Sequence, residues 1–392
     1  MHVPDGFFDA PVSLAAGAVA AGAVAVSLRG AKRELDDRLA PLAGLVAAFV
    51  FAVQMINFPV GAGTSGHLMG GALAAILVGP YTAVLCLSVV LLIQALLFAD
   101  GGLTALGVNI TLLGVVAVLV AYPLFRLLTK TLPRGRSSVG IAAFVAALVS
   151  VPAAAVAFTG LFAIGGTADV PLGRVLAAMV GVHAAIGLGE AAITAMTVGA
   201  VLAVRPDLVH GARDLRRPLV LRTTRTDAGV AAASAGVAAA GAEAAPADAV
   251  EAAGAAGAGR RSARPVWLAG LAASLLCAGV LSFYASQELD GLERVSTDHG
   301  IMEREREHDL ADSPLADYEL RDVDNGLLSG GTAGVLGVGA TLAVGTGVLL
   351  LVRRRDRDRV PSATTTGAGP NGAGRESRGS DRGDSRSAPD AG

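Results

Sequence analysis

Cysteine and charge are scarce in this 392-residue sequence. Its two cysteines, Cys86 and Cys277, sit inside apolar runs, which excludes a disulfide framework and a cysteine-based zinc site. Charged residues are 16% of the chain against 53% hydrophobic ones, and mean hydropathy is +0.59. That balance excludes a string of soluble domains and is a membrane composition. No GxxxxGKS or GxxxxGKT phosphate loop occurs, so the chain cannot supply its own ATP hydrolysis. The net charge of −2 is close to neutral, and no nucleic-acid partner is expected. A basic start is missing as well: MHVPDGFFDA holds no Lys or Arg, whereas a secretory signal begins with them. Met1 is therefore expected to be the amino terminus of the mature protein.

Long apolar runs are what the chain does have. They lie at about 12–28, 41–60, 81–98, 109–127, 139–163, 174–204, 265–285 and 330–352. A shorter run, 68–79, is short enough for a re-entrant hairpin, but counting it as a spanning helix gives a charge pattern with few exceptions. Alternate loops then carry Arg29, Lys32, Arg33 and Arg38, next Arg126, Lys130, Arg134 and Arg136, next Arg205, Arg213, Arg216 and Arg217, while 1–11, 60–67, 99–108 and 164–173 carry no Lys or Arg. Cationic loops resist translocation, so the amino terminus is expected outside a bacterial plasma membrane and the carboxyl terminus in the cytoplasm.

The expected fold is all-α and polytopic, about seven transmembrane helices followed by a two-helix transmembrane hairpin. Residues 1–210 form the first unit. Residues 211–263 form a cytoplasmic linker whose Ala/Gly-rich part, 226–263, has too few bulky side chains to bury a core. Residues 264–355 form the hairpin, and 356–392 a Gly/Ser/Arg/Asp-rich tail expected to be disordered. The hairpin's outer loop, roughly 286–326, holds thirteen acidic residues against four Arg. It reads either as a solvated loop or as a concentrator of cations.

A chain that starts Met-His offers three nitrogens in sequence: the amine of Met1, and the backbone amide and imidazole Nδ1 of His2. They close two fused rings on one metal, a planar set suited to Ni(II), Cu(II) or Co(II) and unsuited to Ca or Mg. Pro4 biases Val3 toward extended geometry, and Pro4-Asp5-Gly6 makes a turn that can fold the terminus back onto the helices. The next outer loop, NFPVGAGTSGHLMGG, supplies His67 as a fourth ligand, among glycines expected to let another backbone come close.

MHVPDGF, NFPVGAGTSGHLMGGALAAILVGPY, FADGGLTALGVN and GEAAIT together resemble the CbiM/NikM family, the substrate-binding membrane components of energy-coupling-factor transporters for cobalt or nickel. The resemblance covers residues 1 to about 210. It implies a transported Co2+ or Ni2+ bound by Met1, His2 and His67, no permanent cofactor, and cobalt use in cobalamin biosynthesis. It also implies separate cytoplasmic ATP-binding subunits and a coupling transmembrane subunit, so the chain itself is a transporter component and not an enzyme. The hairpin is similar to the CbiN/NikN or PDGLE partner, with Leu289 in place of the Pro and Asp290, Gly291, Leu292 and Glu293 matching.

Six further residues are candidates for support behind the ligands: Gln54, Ser65, Gln94, Asn109, His183 and Glu190. Glu190 is a carboxylate inside a span, and His183 is seven residues before it on roughly the same face. The two read either as a polar layer beneath the metal or as a hydrogen-bonded structural pair. Two other classes compete with the carrier. Gly63-Thr64-Ser65-Gly66 matches a rhomboid-type serine protease pattern, with Ser65 as nucleophile and His183 as base. A membrane scaffold or sensor, the third class, would tolerate a residue added before Met1.

Overall fold

The computed structural model describes residues 1–35, 39–215 and 264–357, so most of the expected linker and nearly all of the tail lie outside the described residues. Runs of Ala, Val and Leu broken by Gly and Pro make a helical chain. Helix α1 (Ala10–Glu34) starts at Asp9, whose side chain accepts the Val12 N–H at 2.9 Å. Helix α2 (Leu39–Gln54) leads into a small hairpin, β1 (Phe58–Gly61) paired antiparallel with β2 (Thr64–Gly66). Then follow α3 (Gly71–Val78), α4 (Pro80–Leu97), α5 (Leu106–Thr131), α6 (Arg136–Gly165) and α7 (Leu172–Val204). The second unit is α8 (Arg264–Gly279), α9 (Gly291–Asp298) and α10 (Gly326–Arg357).

Helices α1, α4, α5, α6, α7 and α10 are long and apolar enough to cross a bilayer, and α2 and α8 are shorter apolar helices. The all-α membrane architecture read from the sequence is the one observed. Run 68–79 needs correction. Only Gly71–Val78 is helical, eight residues or about 12 Å, too short to cross alone. The rest of the passage is irregular chain from His67 to Gly70, and Gly79 at φ +98° turns into α4 beside Glu34 at the far end of α1. The segment therefore passes from one end of the bundle to the other as loop plus half-helix.

Such a passage exposes helix starts inside the bundle, and buried carboxylates from other elements satisfy them. Glu34 accepts from Tyr81 N (3.2 Å), Thr82 N (2.7 Å) and the Thr82 hydroxyl (2.8 Å) at the start of α4. Glu190 on α7 accepts from Met69 N (2.6 Å) and Gly70 N (3.2 Å) ahead of α3.

The second unit lies against the first through small residues. On α10, a Cβ at Gly337 would fall 2.1 Å from the Phe51 ring of α2, and one at Gly334 would fall 2.3 Å from the Ala278 carbonyl of α8. Close helix approach of this kind is how apolar helices pack where lipid offers no hydrophobic contrast. The acidic loop folds over the face that carries the amino terminus and buries Leu292, Val295 and Ile301 in the core that holds Met1, Val3, Phe7 and Phe8. Twelve of its thirteen acidic residues are nonetheless exposed, as the solvated reading expects, and Asp290 is the one that is buried.

Candidate metal centre

The first eight residues are locked to α5, α6 and the loop before α5. Asn109 pairs with Val3 as a strand would: Val3 N donates to Asn109 Oδ1 at 2.8 Å, and Asn109 Nδ2 donates to Val3 O at 3.0 Å. The next seven residues of α5, Ile110–Val116, form a π-helical turn, a distortion found often at functional sites. Asp5 is buried and accepts from Leu103 N (3.0 Å), Thr104 N (2.8 Å), Ala105 N (3.3 Å) and the Thr104 hydroxyl. The Thr167 hydroxyl donates to Gly6 O at 2.7 Å, and Asp9 N donates to Gly165 O at 2.9 Å. The Pro4-Asp5-Gly6 turn does fold the terminus back, as its composition suggests.

The glycines that admit this backbone are not those expected. A Cβ at Gly102 would fall 2.3 Å from Asp5 N, so only glycine fits there, whereas Gly61 has open space around it and Gly63 faces Glu288. The close approach is made by FADGG, and the 61–71 glycines serve the loop's own path. Gly70, at φ +83°, turns the chain into α3.

The locked terminus places the Met1 amine 2.5 Å from His67 Nε2. His67 Nδ1 lies 3.0 Å from the Leu68 carbonyl, which can only accept, so Nδ1 carries the proton and Nε2 offers its lone pair toward the amine. The His2 ring stacks on the His67 ring, centroids 4.8 Å apart and 7° from parallel. His2 Nδ1 lies 3.2 Å from Asp100 Oδ1, and Nε2 is buried without a hydrogen-bond partner. Burial, only partly opposed by Asp100, pushes the His2 imidazole down to about 4, so it is neutral near pH 7. Asp100 is held in turn by the Tyr318 hydroxyl at 2.5 Å, and Tyr318 stacks on Phe98 at 4.7 Å.

Asp290 of the second unit completes the cluster. Its Oδ2 lies 3.1 Å from the Met1 amine and 3.7 Å from His67 Nε2. Burial works against this carboxylate's charge, yet the Met1 ammonium and His67 beside it prevail and hold it well below the usual carboxylate range. Among the described residues no group of three or more His, Cys, Asp or Glu side chains is arranged to hold a metal. A cleft of about 610 Å³ reaches the cluster, lined by His2, His67, Asp100, Glu288, Asp290 and Glu293 among others.

The six supporting candidates divide. Gln54 Nε2 donates to Met69 O at 3.0 Å, and Gln94 Nε2 donates to Gln54 Oε1 at 2.9 Å, so both brace the loop that carries His67. Asn109 braces the terminus, and Glu190 caps α3 two residues beyond His67. His183 and Glu190 do not form the structural pair considered above: His183 Nδ1 bonds to Met179 O of its own helix at 2.8 Å, and its Nε2 has no partner. Ser65 is not placed as a nucleophile. Its hydroxyl donates to Glu288 O at 2.7 Å, no histidine bonds to it, and it serves as an anchor for the second unit. Asp100, Asp290 and Tyr318 are the polar residues of the cluster that sequence reasoning missed. Asp100 lies within the FADGGLTALGVN match and Asp290 within the DGLE match, but neither match says that the two carboxylates meet at one cluster.

A family model described as "Cobalt uptake substrate-specific transmembrane region", CbiM, matches residues 2–208, and one described as "PDGLE domain" matches 264–354. A protein of Haloquadratum walsbyi with a metal-transport name is 41% identical over 209 residues, 53% of this chain and 93% of that protein. The cobalt transport protein CbiM of Sorangium cellulosum is 36% identical over 194 residues, 48% of this chain and 84% of that protein. A solved structure described as a transition metal transporter is 30% identical and covers 52% of this chain and 93% of that one, with a TM-score of 0.46.

Proposed function

Because the chain belongs to the CbiM family, a membership its first 208 residues carry, we propose that it captures Co2+ or Ni2+ outside the membrane and passes it inward. The ion is the cargo, held by the Met1 amine, the His2 amide and Nδ1, and His67 Nε2. The observation that carries this reading is the convergence of the Met1 amine and the His67 Nε2 lone pair at 2.5 Å, two donors 66 residues apart with apolar packing behind them. A planar nitrogen set suits late divalent transition metals and no alkaline-earth ion.

The basic ends of α1 and α5, and Arg213 beyond α7, are at the far end of the bundle from this cluster, which supports an outside site and a cytoplasmic release face. Movement against a gradient then needs ATP-binding subunits in the cytoplasm and a coupling membrane subunit. Loading also requires His2 Nδ1 to turn its lone pair to the ion while Asp100 stays beside the ring as a counter-charge.

Equilibrium titration of the purified full chain with Ni2+ and Co2+ tests the reading. His67→Ala, and separately one residue added before Met1, are each expected to abolish binding at micromolar metal. If both bind as tightly as wild type, the site is elsewhere and the scaffold or sensor class gains.

A further inference from the structure

Asp290 is placed by the first unit as much as by its own. Ser65 N donates to Leu289 O at 2.8 Å, the Ser65 hydroxyl donates to Glu288 O, and Ser286 N donates to Asn57 O at 2.8 Å. Its two carboxylate oxygens are divided. Oδ1 accepts from Leu292 N (2.7 Å) and Glu293 N (2.9 Å) and caps α9, while the Glu293 side chain accepts from Asp290 N at 2.9 Å. Oδ2 makes no bond within α9 and is aimed at Met1 and His67.

We propose that Asp290 Oδ2 is an additional metal ligand, an oxygen donor that the second unit adds to the nitrogen set of the first. The proposal rests on the carrier reading above. Nitrogen and carboxylate donors sit about 2.0–2.2 Å from such ions, so two donors at right angles on one ion are about 2.9 Å apart. Asp290 Oδ2 is 3.1 Å from the Met1 amine and 3.7 Å from His67 Nε2, one separation near that value and one fitting a wider angle. The third separation, 2.5 Å between the Met1 amine and His67 Nε2, is shorter than that value, so these two donors draw apart by a few tenths of an ångström when all three share one ion.

Charge leads to the same place. In the empty site the Asp290 carboxylate faces the Met1 ammonium, one charge against one. On loading, the ammonium and the His2 amide each release a proton and the ion brings two positive charges. With the amide anion alone the ion keeps one net positive charge in a buried place, and of the two carboxylates placed to offset it Asp290 lies against the donor atoms while Asp100 lies behind the His2 ring. A buried charge without a partner is costly, so a carboxylate already fixed there stays. The consequence is for specificity. Four planar nitrogens favour Ni(II) and Cu(II), and a fifth, anionic oxygen opens the site to Co(II), which accepts higher coordination.

The test uses the full chain in detergent, with Co2+ and Ni2+ titrations of wild type, Asp290→Asn, Asp290→Ser and His67→Ala. Asn and Ser both keep a good helix cap at this position and both remove the anionic donor. Both are expected to weaken Co2+ binding by at least about tenfold, and Ni2+ binding less, and to change the visible absorption of bound Co2+ at saturation. The metal-free unfolding midpoint shows that the fold survives, and the absorption spectrum reports the ligand set whatever the affinity. If either variant binds Co2+ as tightly as wild type or more tightly, with an unchanged spectrum, Asp290 only neutralises the empty amine and the proposal fails. If His67→Ala also binds normally, the carrier reading itself has failed.

Discussion

Residues 1–8 and the loop 286–326 cover the same face of the molecule, and both are largely non-helical, yet the first is held more densely. The terminus is fixed by side chains that bind backbone, Asn109 on Val3, Asp5 on 103–105 and Thr167 on Gly6, and by backbone bonds such as Gly102 N to Val3 O. The acidic loop is held at separate points along a longer path: Ser286 N on Asn57 O, Leu289 O on Ser65 N, Arg306 N on Asp5 O, Asp317 N on Phe98 O, and the side chains of Asp290 and Tyr318 on Met1 and Asp100. The first arrangement sets where the proposed metal site lies. The second touches it at Met1, Asp5 and Asp100, and so can alter how tightly a metal would be held.

Breaking the rigid region should have the larger effect. Asp5→Ala leaves the N–H groups of Leu103, Thr104 and Ala105 without their acceptor in a buried turn. An unsatisfied buried donor costs about 1–3 kcal/mol, so this change should lower the unfolding midpoint by several degrees and remove measurable metal binding. Asp5→Asn keeps one acceptor and should fall between. Asn109→Ala is milder, since it frees only Val3. Two bonds of about 1 kcal/mol each are lost, and affinity should fall about tenfold with the fold intact. Calorimetric titration beside thermal unfolding checks both; an Asp5→Ala protein that binds metal normally would mean that the terminus does not need its anchor.

How far the sequence discloses this arrangement depends on how local each interaction is. The membrane helices were legible because each is written in one continuous run. The proposed chelate could be suggested from sequence because its three nitrogens belong to adjacent residues, but the Asp100 carboxylate that His2 Nδ1 faces could not. His67 needed only topology, which loop shares a side with the terminus. The half-helix α3 was misjudged because LMGGALAAILVG is apolar enough to span, and only the Glu190 carboxylate from α7, 120 residues away, shows that its start is capped deep inside. Asp290 is 289 residues from its partner. The DGLE match marked its segment, but no spacing rule connects it to Met1. The glycine bed was assigned to the wrong loop for the same reason: Gly102 is needed because Asp5 lies against it, and that contact exists only after folding.

The smallest expected effect is the one that sharpens the comparison most. Tyr318 binds Asp100 through its hydroxyl and stacks on Phe98, so Tyr318→Phe removes the first contact and keeps the second. Asp100 sits beside His2, and a doubly charged ion about 5 Å from that carboxylate gains several kcal/mol even at an effective dielectric of about 20. Losing the carboxylate's contact with a neutral imidazole forgoes only about 1 kcal/mol. Attraction to the ion therefore wins, and Asp100→Asn should weaken metal binding clearly, about tenfold or more. Tyr318→Phe leaves the charge and loosens only its position, so a loss of about threefold is expected, under 1 kcal/mol. The two effects should add only in small part, because the hydroxyl acts mainly through the carboxylate and otherwise only through Gln94 beside it; a double-mutant cycle measures this. Additive losses would mean that Tyr318 reaches the site by some route other than Asp100, and that the acidic loop does more than tune the charge around His2.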